Sequence, residues 1–587
     1  MKKNFFNKEI LSGIVILLLV SFVMVSPQFY KRAIILGSDV MFHFNRFFEM
    51  SMQIETGKFN YFQSLFGFNS TGRIINAFYG WDFSFIMGLL LSILKSWTKF
   101  QIVSSFICFF ISGVTMYSLT KYMKLSNRVS ILASILYMSS ASVSFYPIAQ
   151  AFNSWGAAFL PLLFIPAFKS IIDREKPISI VGLAATVSIL LSTHMMTLII
   201  GLMAILPFFV FSFIKSKKKL YWLRQMGLSI GVAMLLSANS IVGFLDPYLS
   251  NNILQPFHQN QMSGDVVKFL PVRNDLYNIG LVYIIIFVFS ISVIVLNWKK
   301  SVIEERFSAV IGGFFLVLAS GVLPWDDLPR IIPFLQTFQF PHRFDIVSYV
   351  LLIVAFSMVI EKISINKTAE YKTILFSSVI VLCFISVLNI NAYISSQSWL
   401  WQGDDPTAGG NNKTSMRVKD PELLRKAFKS PKLADGLNAV VKGTPDYLPI
   451  PNNSNNELIY SNNPYKEYEE QFIDNPLKYT RTITKSAEIK IEWNSINKDD
   501  VQLPVAVYNH SVINLNGKKL NGDKLNKTNL GALVVKPEIG RNTAVISYKS
   551  SLSIKFVFGL KLIGIIILIV SLFYNIKNKQ IERIKVK

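Results

Sequence analysis

Long apolar runs, each close to the length a helix needs to cross a bilayer, set what this chain can fold into. Crossing the hydrocarbon core as a helix takes about 20 mostly apolar residues. In that medium every backbone N–H and C=O must be satisfied within the segment. Runs of this kind lie at 10–27, 101–120, 129–146, 155–172, 178–193, 195–214, 222–244, 277–297, 305–323, 344–361, 371–393 and 553–574, so about twelve spans are expected. The first follows Lys2, Lys3 and Lys8. It is long and lacks a small-x-small cleavage site, so it is expected to be a retained anchor rather than a signal peptide.

The charges between the runs predict the orientation. Lys121, Lys124 and Arg128 share one loop, and Arg174 and Lys176 another. Lys215 with Lys217–Lys219, Lys299 with Lys300 and Arg306, and the stretch Lys362–Lys372 follow, and the tail beyond 574 is rich in lysine. All fall on one side if each run crosses once, and basic loops favour the cytoplasm. Both termini are then cytoplasmic. Residues 82–97 would reverse every later loop if they crossed, so an interfacial or half-inserted helix is expected there.

Hydrophobic residues make up 51% and charged residues 16%, with a mean hydropathy of +0.41. Soluble domains carry about a quarter charged residues, so a soluble enzyme and a disordered chain are excluded. The two cysteines, Cys108 and Cys383, sit in apolar runs and make no disulfide framework. The formal charge of +24 fits cytoplasmic loops, and no nucleic-acid partner is expected.

Three polar regions then face outward: the loop from about 28 to 98, the shorter loops 146–154, 245–276 and 324–343, and a stretch at 395–550. The later part of 395–550 alternates as strands do, at 487–493, 503–517 and 543–551, and Asn516-Gly517 signals a hairpin turn. The expected organisation is a membrane domain at 1–394, whose outer loop 28–98 carries the candidate site. An extracytoplasmic β-rich domain follows at 395–550, then a last helix with a basic tail at 551–587.

Two motifs carry little. Gly227-Leu228-Ser229-Ile230-Gly231 matches the serine-hydrolase G-x-S-x-G, but it lies inside an apolar run instead of a strand-to-helix elbow. Close helix approach at its small residues is the simpler expectation. Sequons at Asn69-Ser70-Thr71 and Asn412-Lys413-Thr414 are expected by chance in an Asn-rich chain, and there is no P-loop.

The informative stretch follows the first run. Ser38 or Asp39 can cap a helix, on which Asp39, His43 and Arg46 share one face at i, i+4 and i+7. Val40, Met41, Phe44, Phe47 and Phe48 would lie on the membrane surface opposite them. Capping by Asp39 and headgroup contact by Arg46 are the simpler alternative. His194 ends an outgoing run, His342 and Arg343 begin an ingoing one after Asp326, and Tyr79 and Asp82 lie in the first outer loop. Ionisable residues at this level are costly and usually face a cavity or a partner.

The motifs Asp39…His43…Arg46, Gly57-Lys58-Phe59, Asn76-Ala77-Phe78-Tyr79-Gly80, Ser192-Thr193-His194-Met195-Met196-Thr197, Gln339-Phe340-Pro341-His342-Arg343-Phe344 and Asp446-Tyr447-Leu448-Pro449 together resemble bacterial polytopic membrane glycosyltransferases of the GT-C type. More closely they resemble the family called 6-pyruvoyl-tetrahydropterin synthase-related membrane proteins, and relatives implicated in teichoic-acid glycosylation. Two positions depart from the pattern, His342 for an aromatic residue and Trp81 for a proline, so substrate preference is expected to differ. Pterin chemistry is not expected, because His43, His194, His258, His342 and His510 show no paired ligand spacing.

The resemblance implies an α-helical GT-C-like membrane protein that takes a sugar from a polyprenyl-phosphate donor. It implies transfer to a cell-envelope polymer at the outer face of a bacterial plasma membrane. Asp39 is then the expected general base, with Arg343, Arg46 and His342 on the donor phosphate. His43, His194, Tyr79, Asp82, Asp326 and Tyr447 are expected to support the site or bind substrate. No cofactor is required, and a divalent ion, Mg or Mn, is compatible. The alternative is a transporter, lipid flippase or scaffold of the cell envelope, although no inverted repeat or run of mid-span ionisable residues points to transport.

Overall fold

The computed structural model describes residues 8–585 except 258–260, 271–276, 366, 411–413 and 522–524. Lys2, Lys3, His258 and the sequon residues Asn412 and Lys413 lie outside the described residues. The chain is mostly helical, with a small β region before the last helix.

Every expected apolar run is a helix or a bent helix pair, but the count of candidate spans is smaller. Seven helices are long and apolar enough to cross a membrane: Lys8–Lys31, Trp97–Tyr122, Asn153–Ile172, Met195–Lys215, Pro341–Ile365, Ala369–Leu400 and Ile554–Tyr574. Two bent pairs, Asn127–Met138 with Ala141–Ala149 (45°) and Lys219–Leu236 with Ala238–Ser250 (71°), raise this to nine. Ile180–Thr193, Leu281–Leu296 and Ile303–Ala319 have 14, 16 and 17 residues. At about 1.5 Å per residue they fall short of a hydrocarbon core about 30 Å thick. Their exposed side chains are nonetheless apolar, as at Leu296 (84% exposed), Val310 and Phe314, and only 11% of the long Ile554–Tyr574 window is buried. Surface of this kind calls for lipid.

Hydrogen bonds sort the helix ends into two sets. At one end Asn127 donates to the Glu9 carbonyl, Ser126 Oγ to Glu361 at 2.7 Å, and Lys362 pairs with Glu305 at 3.5 Å. These residues flank the basic loops. The opposite end gathers the β region and the loops expected to face outward.

The first helix, α1 (Lys8–Lys31), leads into α2 (Val40–Thr56). After an irregular stretch come α3 (Asn76–Tyr79) and α4 (Trp81–Leu94). α4 is a short apolar helix packed mainly on α2. α2 departs from expectation, since it does not float on a bilayer surface. Val40, Phe44 and Phe47 on one side and His43, Arg46 and Glu49 on the other are all buried. Protein covers both faces.

The β region holds an antiparallel five-stranded sheet in the order Tyr479–Ile483, Ile489–Ser495, Gly540–Tyr548, Ser511–Leu515, Lys518–Asn521. A three-stranded sheet contains Val501–Ala506 and Ala532–Val535. Asn516 and Gly517 turn the last hairpin with φ of 50° and 85°, as an Asn-Gly turn should. The alternating inner residues, among them Ile489, Ile491, Trp493, Leu503, Val505 and Ile546, form one buried cluster that also takes in Leu65 from the first outer loop. Thr71 and Ala506 join by a backbone bond of 2.7 Å, and Lys58 reaches the Ile483 carbonyl at 2.6 Å. The outer loop is thereby sewn to the β region.

The Gly227/Gly231 pattern carries no close approach. A Cβ at either position would meet nothing within 4 Å, because both glycines face outward. Ser229 bonds the Ile180 carbonyl at 3.2 Å, a helix-to-helix contact that rules out an exposed nucleophile.

Candidate active site

The chain enters α2 along a fixed path. Ala33–Gly37 is buried, and the Gln101 amide holds Ile35 by two bonds of 2.8 Å. Gly37 lies so close to Ile148 and Ala149 that any Cβ would collide with their backbone. The Asp39 N–H then donates to the Ala149 carbonyl at 3.0 Å. Asp39 occupies the N-cap position, yet its side chain makes no capping bond. Helix capping therefore does not account for this half-exposed carboxylate. Its charge acts on Tyr79 and on Arg343.

Arg46 is fully buried. Its Nε donates to Asn76 Oδ1 at 3.1 Å, and its Nη2 to the Tyr79 carbonyl at 3.0 Å and Ser84 Oγ at 2.6 Å. Its Nη1 lies 3.0 Å from His43 Nδ1. Arginine only donates, so this histidine nitrogen accepts and a neutral His43 carries its proton on Nε2. The guanidinium also lies over Tyr79 (4.7 Å) and Phe152 (5.0 Å). Burial pulls the Arg46 pKa down to about 10, which leaves it charged at neutral pH. Headgroup contact is thus corrected. Arg46 is a braced internal cation, with its donors turned onto the protein.

Glycine places the next pair. Gly80 has φ of 95° and presses against the Ser192 carbonyl, where a Cβ would collide. That contact sets Tyr79 beside the turn at His194, the single residue between Ile180–Thr193 and Met195–Lys215. The Thr197 N–H donates to His194 Nδ1 at 3.2 Å, so a neutral His194 also carries its proton on Nε2. The charges of Arg343 and Arg46 both reach this ring.

Arg343 stands at the mouth of the Pro341–Ile365 helix, half-buried, after Gln339 in the left-handed region (φ 59°). Its Nη1 donates to the Phe338 carbonyl at 3.0 Å and to Gln339 Oε1 at 3.1 Å, and its guanidinium lies 4.7 Å from the Phe340 ring. Tyr447, also at positive φ (65°), receives its place from the Leu254 carbonyl, to which its N–H donates at 2.8 Å. Its ring lies 5.5 Å from Phe78 and 5.8 Å from Tyr79. Burial, then the Asp39 carboxylate, raises the Tyr79 phenol above its usual pKa, while Arg46 and Arg343 oppose the shift. Tyr447 is pushed well up by burial, Tyr79 and Asp446, against Arg343. Both phenols therefore stay protonated and able to donate.

The structure thus gathers Asp39, His43, Arg46, Tyr79, His194, Arg343 and Tyr447 at one end of the bundle, with Asp446 beside them. Three expected members stand elsewhere. Asp82 accepts two bonds from Asn239 (3.0 and 3.1 Å) and pairs with Lys561 of the last helix at 2.5 Å, so it is a tie between helices. Asp326 accepts from Ser263 N–H (2.9 Å) and Oγ (2.6 Å) in an outer loop. His342 is buried, donates from Nδ1 to the Asp265 carbonyl at 3.1 Å, stacks with Phe145 and packs at a tilt against Tyr277. Its burial and ring packing set it behind Arg343.

No group of three or more His, Cys, Asp or Glu that could hold a metal occurs among the described residues. Near Asp39 the Nδ1 atoms of His43 and His194 are already engaged with Arg46 and Thr197, which leaves carboxylate oxygen as the protein ligand that a hard ion such as Mg or Mn would take there. Sequence reasoning missed Glu49. This buried carboxylate accepts from Gln53 (2.7 Å) and from the N–H groups of Leu65, Phe66 and Gly67 (2.9, 2.7 and 2.7 Å). Its spacing from Asn45 and Gln53, four residues each way on α2, was the available signal.

No family model matches the chain, and no curated protein matches it. Among solved structures it is similar to the arabinofuranosyltransferase AftD from mycobacteria, with 12% identity and a TM-score of 0.39 over 72% of this chain and 28% of that one. It is also similar to the Archaeoglobus fulgidus oligosaccharyltransferase in its apo form, with 14% identity and a TM-score of 0.34 over 72% of this chain and 59% of that one. The chain therefore spans less than two thirds of either protein, and both likenesses are distant.

Proposed function

We propose that this chain is a membrane glycosyltransferase that moves a sugar from a polyprenyl-phosphate donor to an acceptor on the cell envelope. In this reading 1–394 forms the membrane domain, 395–550 faces outward, and 551–587 returns the chain to the cytoplasm. The basic end of the bundle then lies in the cytoplasm of a bacterial plasma membrane, in keeping with the charge rule. One observation carries the reading. Asp39 is an acid at a helix start that does not cap its helix, and its charge instead acts on the Arg343 guanidinium and the Tyr79 phenol.

The chemistry follows. An acceptor hydroxyl oxygen attacks the anomeric carbon of the donor, and the bond from that carbon to the phosphate oxygen breaks. The proton of the attacking hydroxyl passes to Asp39. Arg343 balances the charge that gathers on the leaving polyprenyl phosphate. Arg46, buried behind the site and held by His43, contributes a positive field without contact, and the Nε2–H group of His194 is a donor for substrate oxygens.

The test is purified protein in lipid nanodiscs with a panel of polyprenyl-phosphate sugars and envelope glycans. Transfer that disappears in Asp39→Asn, with the protein still folded in the membrane, supports the reading. Movement of labelled lipid across the bilayer with no sugar transferred would favour the flippase alternative.

A further inference from the structure

We infer that an open cleft between α2 and the outer region is the subsite for a hydroxyl-rich glycan, the acceptor of the transfer proposed above. Met41, Phe42 and Asn45 of α2 and Asn69 of the outer loop form one wall, and Arg417, Asn438 and Thr444 stand opposite. The inference rests on the transferase reading for its purpose and on separate residues for its binding.

The near wall is built with care. Phe68, Asn69 and Ser70 have φ of 50°, 57° and 54°, three successive non-glycine residues in the left-handed region. Such strain persists only where the surroundings over-determine it, and it marks functional sites. Here Glu49 takes the N–H groups of residues 65–67, and Asn45 Oδ1 takes the Phe68 N–H at 2.7 Å. The outcome is an exposed Asn69 amide held at the cleft edge with no hydrogen bond of its own among the described residues. The exposed Asn438 amide across the cleft is likewise unbonded.

A buried cation lies beneath Thr444. Arg73, fully buried, donates to Thr444 Oγ1 at 3.3 Å and the Asp446 carbonyl at 2.5 Å, and lies over the Phe68 and Tyr468 rings at 5.1 and 4.9 Å. Because arginine donates to Thr444, the threonine hydroxyl proton is left for a ligand. Arg417 at the rim is paired with Asp474. The Asn69 and Asn438 amides on opposite walls and the Thr444 hydroxyl proton offer a sugar both donors and acceptors. Phe42 stands three residues after Asp39, about 4.5 Å along the axis of α2, so the cleft opens beside the start of the helix that carries the proposed base.

Two variants test the cleft. Asn69→Gly removes an amide while keeping the left-handed backbone, and Asn438→Trp fills the cleft from an exposed position. Binding of neutral and phosphate-bearing oligosaccharides, and of unglycosylated peptides, is measured on the full chain in nanodiscs. The expected result is oligosaccharide binding weakened at least tenfold by each variant, with the thermal unfolding temperature unchanged. Oligosaccharide binding that neither variant alters overturns the inference, as does binding of peptides alone or of no ligand. A cleft that binds glycan in a protein whose Asp39→Asn variant still transfers sugar keeps the subsite and removes the catalytic reading.

Discussion

Asp39 and Asp82 are two carboxylates of the same outer loop, each at the start of a helix, and the molecule treats them differently. Asp82 is closed into a ring. Asn239 donates to it, Lys561 pairs with it at 2.5 Å, and Lys561 also donates to Asn239 Oδ1 at 3.1 Å. Both charges of that pair are largely covered, with side-chain exposures of 23% and 18%. Asp39 has an oriented backbone, no capping bond, and a field set by Arg343 with two protonated phenols nearby. A carboxylate with a dedicated counter-ion holds elements together. For Asp39 the guanidinium its charge acts on, Arg343, also serves the Phe338 carbonyl and Gln339.

The largest expected effect breaks the comparison if it fails. Asp39→Asn keeps size and polarity but cannot take a proton. A general base is worth about 10²- to 10⁴-fold, so kcat for sugar transfer should fall by that factor while Asp82→Asn loses little. Equal losses in the two variants would mean that the carboxylates do not differ in kind. Next, Arg343→Lys keeps the charge and loses the planar fork that holds the Phe338 carbonyl and Gln339. Steady-state kinetics should show a drop of about tenfold to a hundredfold in kcat/KM for the donor, since one well-placed stabilising donor is worth about 10²- to 10³-fold. The KM for acceptor should not change.

Glu49 is a third carboxylate and sharpens the contrast from the structural side. Both of its oxygens accept two bonds each. In Glu49→Gln an NH2 group must face N–H donors on one side. Leaving buried donors unsatisfied costs about 1–3 kcal/mol, so thermal unfolding in nanodiscs should shift down. Acceptor binding should weaken as well, because the left-handed turn loses its clamp.

How much of this was legible depends on the range of the interaction. The apolar runs became helices because hydrophobic length is local information, and Asn516-Gly517 turned its hairpin for the same reason. The shared face of Asp39, His43 and Arg46 was readable from helical spacing. The burial of that face was not, because what covers α2 comes from Asn76, Ser84, Phe152 and the outer region. Gly227 and Gly231 misled for a related reason: small residues permit close approach, but only packing decides whether a neighbour arrives. Asp82 looked like a spare acid because its partner Lys561 lies at the far end of the chain, and no periodicity records that pairing.

The smallest predicted effect tests whether the Asp82 role can be transferred, which the Asp39 role cannot. Asp82→Lys or Lys561→Asp alone places two like charges together in a largely covered site. Each should lower stability by about 1–3 kcal/mol, between the values for exposed and buried pairs. The double variant restores opposite charges at the same two positions. Asn239 can follow, because an amide turned over by rotation about its terminal bond presents its oxygen to the new lysine and its NH2 to the new aspartate. Most of the lost stability should therefore return, and sugar transfer with it. If the double variant regains stability but no transfer, Asp82 itself takes part in the chemistry, and the division between the two carboxylates falls. If it regains neither, the charges are not what joins the last helix to α4, and the contact is held by packing around Trp81 and Phe558, whose rings lie 5.6 Å apart.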